Sequence, residues 1–248
     1  MYDELKDRVV ILTGAARGVG QGLALGFAEV GATVVGVDIL DCDETGEKVQ
    51  AAGGRWKAFK LDLTDEAAIN EMVDTVIKDY GRIDILVNNA GVLNPTPWDE
   101  LDLDTWNRVM AINATGQFLT IKACIPHMKQ AGFGRIINVS AAIAETPVPN
   151  FIIYRASKMA VIGMTRSLAT EMGQYGITAN CVSPSYVVTP GQIELGNDKL
   201  RDGIVAVQAI KRDGLPSDLA GLAVFLASDK SEFITGQMIH ADGGLTYK

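Results

Sequence analysis

Tyr154 and Lys158 lie four residues apart in the stretch YRASK. Four residues make about one helical turn, so a phenol and an amine at this spacing share a helix face. A free phenol, with a pKa of ~10, is too weakly acidic to serve as a base at neutral pH. An ammonium ~4 Å away, in a medium of effective dielectric ~20, favours the phenolate by ~4 kcal/mol. At ~1.4 kcal/mol per pH unit, that brings the phenol to ~7. Such a pair takes a proton from an alcohol during oxidation and returns it to a carbonyl oxygen during reduction. The spacing alone is common, since a buried tyrosine beside a solvated lysine has the same signature. The pair therefore has to be read with its company.

That company begins with TGAARGVG, Thr13 to Gly20, which follows the apolar run Val9–Thr13. Gly14, Gly18 and Gly20 mark a strand-to-helix turn, with Arg17 and Val19 between them. Glycines there let the backbone approach a pyrophosphate closely, at the N-terminus of the next helix. The second apolar run, TVVGVD, ends at Asp38. A carboxylate in that place accepts hydrogen bonds from both adenosine ribose hydroxyls and repels a 2′-phosphate. NAD is expected over NADP, although Arg17 could pair with that phosphate.

These groups need a frame. Strands are predicted at Val9–Thr13, Thr33–Val37, Lys57–Leu61, Ile83–Val87, Arg135–Val139, Thr178–Val182 and Met238–Ala241. Several are apolar on successive residues, as befits strands buried on both faces of a parallel sheet. Helices are predicted at Gly20–Val30, Thr45–Ala52, Glu66–Tyr80, Thr105–Gln130, Tyr154–Tyr175 and Asp218–Ser228. The βαβα alternation implies an α/β, doubly wound sheet with helices on both faces. No linker or internal repeat divides the 248 residues, so residues 1–248 are expected to form one dinucleotide-binding domain. The least regular stretch, 190–215, reads either as a cover over a pocket or as a surface excursion.

Composition narrows the function classes. A net charge of −8 argues against nucleic acid or an anionic membrane as main partner. Three scattered cysteines and two histidines suggest neither a disulfide framework nor a metal site. The charged N-terminus lacks a signal-type core, and no apolar run reaches the ~20 residues of a membrane span. A cytoplasmic setting is the expectation.

Taken together, the motifs resemble the short-chain dehydrogenase/reductase family, in the branch of about this length. TGAARGVG is similar to its TGxxxGxG, and Asn88 to Gly91 (NNAG) to its motif after the fourth strand. Asn113 in AINATG matches the family's helix asparagine, and Tyr154 and Lys158 match YxxxK. Asn180 to Thr189 resembles N-x-x-x-P-G-x-x-x-T, with Ser185 in place of glycine, and Phe233 to Gly244 resembles the C-terminal strand segment. The resemblance implies a single Rossmann-like domain with strand order 3-2-1-4-5-6-7, a nicotinamide cofactor, hydride transfer between an alcohol and a carbonyl, and a homotetramer. It places Asp62 and Leu63 near the adenine. Asn88, Ala90 and Gly91 fall along the adenosine ribose, and Pro184 and Thr189 near the nicotinamide. Lys158 would also hold the nicotinamide ribose, and Asn113 would order a relay water.

One family position departs. A serine usually lies thirteen residues before the tyrosine, and Ala141 stands there. That serine donates a hydrogen bond to the reacting oxygen, and loss of such a donor costs ~10²–10³ in rate. Ser140 is adjacent, but successive strand residues face opposite ways, so it reaches the pocket only if the chain leaves the strand. Three readings stay open: Ser140 substitutes, the site works without a serine, or the chain is a Ser-to-Ala variant. If a donor is missing, Ala141→Ser should raise kcat. The substrate pocket is expected to be walled by Ala141, Ile143, Pro147, Phe151, Tyr186, Val188 and Ile193, suited to a compact, partly apolar secondary alcohol or ketone, with a polyol or sugar as the alternative. The expected protein is an NAD-dependent alcohol dehydrogenase or ketone reductase. The alternative is a dinucleotide-binding sensor or scaffold with little turnover, for which Ala141 is the only support.

Overall fold

A computed structural model describes residues 2–196 and 198–247. Seven parallel strands form one sheet in the order β3-β2-β1-β4-β5-β6-β7. They are β1 Val9–Thr13, β2 Thr33–Asp38, β3 Arg55–Lys60, β4 Ile85–Asn88, β5 Gly134–Val139, β6 Ile177–Pro184 and β7 Met238–Ala241. The order matches the one the family resemblance implies. The chain builds outward from β1 to β3, then crosses to β4 on the other side of β1. A crevice therefore opens at the carboxyl ends of β1 and β4, where such sheets bind ligands.

Burial explains the unbroken apolar runs. Every residue of β1, β4, β5 and β6 is buried. Val10 and Leu12 face a cluster containing Leu23, Phe27, Leu219 and Leu226. That cluster is carried by α1 (Gly18–Glu29) and α9 (Pro216–Ala227). Val9 and Ile11 face the opposite cluster, with Ile69, Met72, Val76, Ile121 and Met128. Those residues come from α3 (Glu66–Tyr80) and α5 (Gly116–Ala131). One strand thus feeds two cores by simple alternation. The helix α2 (Asp43–Ala51) follows β2.

Two stretches differ from expectation. The run 105–130 is not one regular helix: α4 (Leu103–Met110) passes through a π turn at Ala111–Thr115 into α5. The stretch 190–215 holds two helices, α7 (Pro190–Glu194) and α8 (Asp198–Val207), and Asn197 between them lies outside the described residues. The long helix α6, Ile152–Met172, carries Tyr154 and Lys158 in its first two turns.

Candidate active site

The site is assembled at the carboxyl ends of β1, β2, β4, β5 and β6. The glycine turn is tightly wound. Gly14 has φ +68°, and a methyl group on Gly20 would lie 1.8 Å from the Gly14 carbonyl oxygen. Gly18, at φ +61°, leaves only 3.1 Å between such a methyl and Thr189. Thr189 caps α7, accepting a hydrogen bond from the Gln192 N–H at 3.3 Å. Glycine at 18 therefore lets the start of α7 descend onto the loop. The turn is also sewn to the end of β4. Thr13 Oγ1 accepts from the Asn89 and Ala90 N–H groups, and Asn89 Nδ2 donates to the Thr13 and Gly14 carbonyls.

Beyond the turn lies a cavity of about 610 Å³. Gly14, Arg17, Gly18, Val19, Gly20, Asp38, Asp62, Leu63, Ala90, Gly91, Tyr154, Lys158, Pro184 and Thr189 all border it. At its outer end the Asp38 carboxylate is fixed by two backbone donors, Ala16 N–H on Oδ2 and Leu40 N–H on Oδ1, both 3.0 Å. Each oxygen keeps a lone pair for a vicinal diol. Arg17 turns toward α7 instead, with its guanidinium 2.6 Å from Glu194. The elongated cavity, a backbone that passes close only because it is glycine, and a carboxylate at the far end all suit a dinucleotide.

Asn88 does not belong to this lining. It is fully buried, donating to Asn138 Oδ1 at 2.9 Å and accepting from Thr120 Oγ1 at 2.7 Å. Its neighbour Asn89 borders the cavity in its place. Asn88 closes β4, and alternation sends its side chain inward.

Asn113 is likewise fully buried, in the π turn. Its Oδ1 accepts from Val92 N–H at 2.8 Å, and its Nδ2 donates to Val92 O at 3.0 Å and Ser157 Oγ at 3.1 Å. Ser157 Oγ in turn donates to the Tyr154 carbonyl at 2.7 Å. The extra residue of a π turn aims one side chain where a regular helix would not. Here it fixes the loop bordering the cavity and ties it to the first turn of α6. A methyl on Gly91 would lie 3.1 Å from Asn113 Oδ1 and 3.5 Å from Lys158 Nζ, so these two groups meet beneath that glycine.

Lys158 is 3% exposed, and its ammonium donates to Val139 O at 2.8 Å. Its Nζ lies 5.6 Å from the centre of the Tyr154 ring. Burial dominates both titrations. It pushes the Tyr154 phenol up to about 12 and brings the Lys158 amine down to about 8. In the protein alone the phenol thus shifts upward through desolvation, opposite to the direction expected from a lysine at one-turn spacing. Tyr154 is held as a neutral phenol, ready to donate.

A second, smaller space of about 70 Å³ adjoins the first. Ala141, Ile143, Phe151 and Tyr186 border it as expected, joined by Leu93, Val148, Leu200, Ile204 and Leu245. Pro147 and Val188 do not border it, and Ile193 is 67% exposed. No acidic or basic side chain among the described residues lines it. Ser140 borders the large cavity, yet its Oγ is sealed from solvent and finds no hydrogen-bond partner among the described residues. Ser185 and Gln192 border both spaces, and sequence reasoning assigned neither a role. The departure from glycine at 185 was the one available signal.

A family model described as enoyl-(acyl carrier protein) reductase matches residues 14–246. The 3-oxoacyl-(acyl-carrier-protein) reductase of Thermotoga maritima is 36% identical over 97% of this chain and 98% of its own length. The cis-4-hydroxycyclohexanecarboxylate dehydrogenase of Sinomonas cyclohexanicum is 37% identical over 99% of both chains. Among solved structures, a protein from Beutenbergia cavernae described as a putative NAD(P)-dependent gluconate 5-dehydrogenase, with bound NADP at low occupancy, superposes with a TM-score of 0.92. It is 33% identical and covers 97% of each chain.

Proposed function

Because this chain belongs to the short-chain dehydrogenase/reductase family, we propose that it moves a hydride between NAD(H) and a small, uncharged secondary alcohol or ketone, with Tyr154 exchanging the proton. One observation carries this reading. Tyr154 is the only ionisable side chain among the described residues that borders both the elongated cavity and the small apolar one. A reacting carbon between the two spaces therefore has its oxygen beside that phenol. The dinucleotide, when bound, supplies or accepts the hydride.

Each residue then has a task. The glycine turn at Gly14, Gly18 and Gly20 admits the pyrophosphate, and Asp38 accepts from the ribose diol. Asp62, Leu63, Ala90 and Gly91 flank the adenosine half, and Pro184 and Thr189 the nicotinamide half. In ketone reduction the neutral Tyr154 donates its proton to the carbonyl oxygen. Lys158 places a charge behind the phenol, and Asn113 fixes the loop and the first turn of α6 around it. NAD is favoured over NADP because Asp38 repels a 2′-phosphate, while Arg17, the cation nearest in sequence, is engaged by Glu194. The relatives' substrates include an acid, but the apolar space here has no cation to receive a carboxylate. Exposed Leu103, Phe118, Ile152 and Met159 on α4, α5 and α6 support self-association, consistent with a homotetramer.

The test is NAD reduction followed by absorbance against cyclohexanol, 2-butanol and 2,3-butanediol. Tyr154→Phe should lower kcat by at least ~10²-fold while leaving NAD affinity intact. Full activity in Tyr154→Phe would overturn the assignment.

A further inference from the structure

The phenol is one donor to the reacting oxygen, and an oxygen that gains charge in the transition state is held best by more than one. Six residues border both spaces and so surround the point where that oxygen must sit: Leu93, Ala141, Tyr154, Pro184, Ser185 and Gln192. The side chains of Leu93, Ala141 and Pro184 cannot donate. Ser140 is adjacent to Ala141, but it borders only the large cavity, and its Oγ is buried with almost no accessible surface. Gln192 sits on the short helix α7, where its backbone N–H is taken by Thr189 Oγ1; its side-chain amide is the rival donor that the experiment below includes. Ser185 is half-buried, and its hydroxyl makes no hydrogen bond with any described residue.

The backbone explains why Ser185 reaches the same spot as Ala141. β5 ends at Val139 and β6 at Pro184, and the two are neighbours in the sheet. The Ser140 N–H donates to Val182 O at 2.8 Å, which keeps the chains side by side as they leave it. Ala141 and Ser185 thus emerge from adjacent strand ends into one throat.

We propose that Ser185 supplies the second hydrogen-bond donor to the substrate oxygen, in place of a hydroxyl at position 141. The inference rests on the proposed oxidoreductase reading. In ketone reduction the carbonyl carbon takes a hydride from NADH and the π bond opens onto oxygen. That oxygen takes the Tyr154 proton, which solvent later replaces. The Ser185 O–H donates a hydrogen bond throughout and is not consumed. No donor is then missing, so Ala141→Ser alone adds little to kcat.

The experiment compares Tyr154→Phe, Ser185→Ala, Ser185→Gly, Gln192→Ala and Ala141→Ser/Ser185→Ala. Each is assayed on the member of the alcohol panel that the unaltered protein oxidises fastest with NAD, and NAD affinity is measured separately by calorimetry. Both Ser185 variants should lose ~10²–10³-fold in kcat with unchanged NAD affinity, as for removal of one oxyanion donor. Restoring a hydroxyl at 141 should recover much of that loss, which a merely structural role for Ser185 would not allow. Glycine is the residue the family pattern carries at 185, so Ser185→Gly tests the idea even where alanine disturbs the fold. Full kcat in both Ser185 variants, failure of the position-141 rescue, or a loss that Gln192→Ala reproduces alone would overturn the proposal while leaving a Tyr154-dependent enzyme. If Tyr154→Phe keeps full activity, or no panel alcohol reduces NAD, the underlying reading falls and this one with it.

Discussion

Replacing Lys158 with methionine should make the protein more stable near neutral pH. The amine is almost wholly enclosed, and burial brings it from an ordinary 10.5 down to about 8. At pH 7 it is still protonated in the folded chain, so folding bears the full cost of desolvating a cation. A drop of that size, at ~1.4 kcal/mol per pH unit, is ~3 kcal/mol. Methionine removes this cost and keeps the apolar stem. It also loses the bond to Val139 O, which takes back ~1–2 kcal/mol. A net gain of ~1–2 kcal/mol remains, or ~2–8 °C in Tm for a domain of this size. Because the folded-state pKa of the base is lowered, the unfolded chain binds more protons between about 8 and 10.5. The unaltered protein therefore gains stability as pH rises through that window, and the advantage of the variant shrinks. Thermal melts of both proteins without dinucleotide, from pH 6 to 9.5, read this directly. Below pH 10 the buried phenol stays neutral in both and cancels. A variant that melts lower at pH 7, or a gap that stays constant up to pH 9.5, refutes the reasoning. A variant that melts higher at pH 7, with a gap that narrows toward pH 9.5, makes Lys158 a functional group that costs stability where it acts.

Other outcomes follow from the same geometry. The phenol is raised to about 12 in the protein alone, so the phenolate needed for alcohol oxidation grows with alkalinity; kcat/KM for oxidation at low NAD should climb from pH 6 to 9, and a flat profile argues against Tyr154 as the base. Asp38→Ser should weaken NAD by ~10-fold or more, the worth of a charge-assisted hydrogen bond, and adding Glu194→Gln should release Arg17 and improve NADP use in steady-state comparison. Asn88→Ala should cost ~2 kcal/mol by leaving Asn138 and Thr120 without their buried partner, seen as a Tm lower by ~4–8 °C with NAD affinity little changed in calorimetry. Gly18→Ala should impair NAD binding, because φ +61° strains any residue with a Cβ and the added methyl would crowd Thr189 at 3.1 Å.

The frame was legible because strands buried on both faces announce themselves as unbroken apolar runs. The bounds of β1 and β7 coincide with expectation, as does Glu66–Tyr80, which carries an Asp65 cap at one end and a left-handed Gly81 at the other. What stayed illegible depends on one residue of register. The π turn at Ala111–Thr115 leaves apolar spacing almost unchanged, so 105–130 reads as one helix, yet that turn is what swings Asn113 onto Val92. Asn88 and Asn89 are chemically identical, and only where β4 ends decides which faces the cavity. The phenol's acidity in the protein alone is hidden from the sequence for a related reason. Spacing places a cation near Tyr154, but says nothing of the Val139 carbonyl that holds it or of the water excluded around both. Ser185 belongs to the same class: a motif marks it as unusual, and only two strand ends leaving the sheet together put it beside Ala141. Side-chain type is written in the sequence, whereas the direction in which a polar group points is set by packing, and the chemistry of this throat turns on direction.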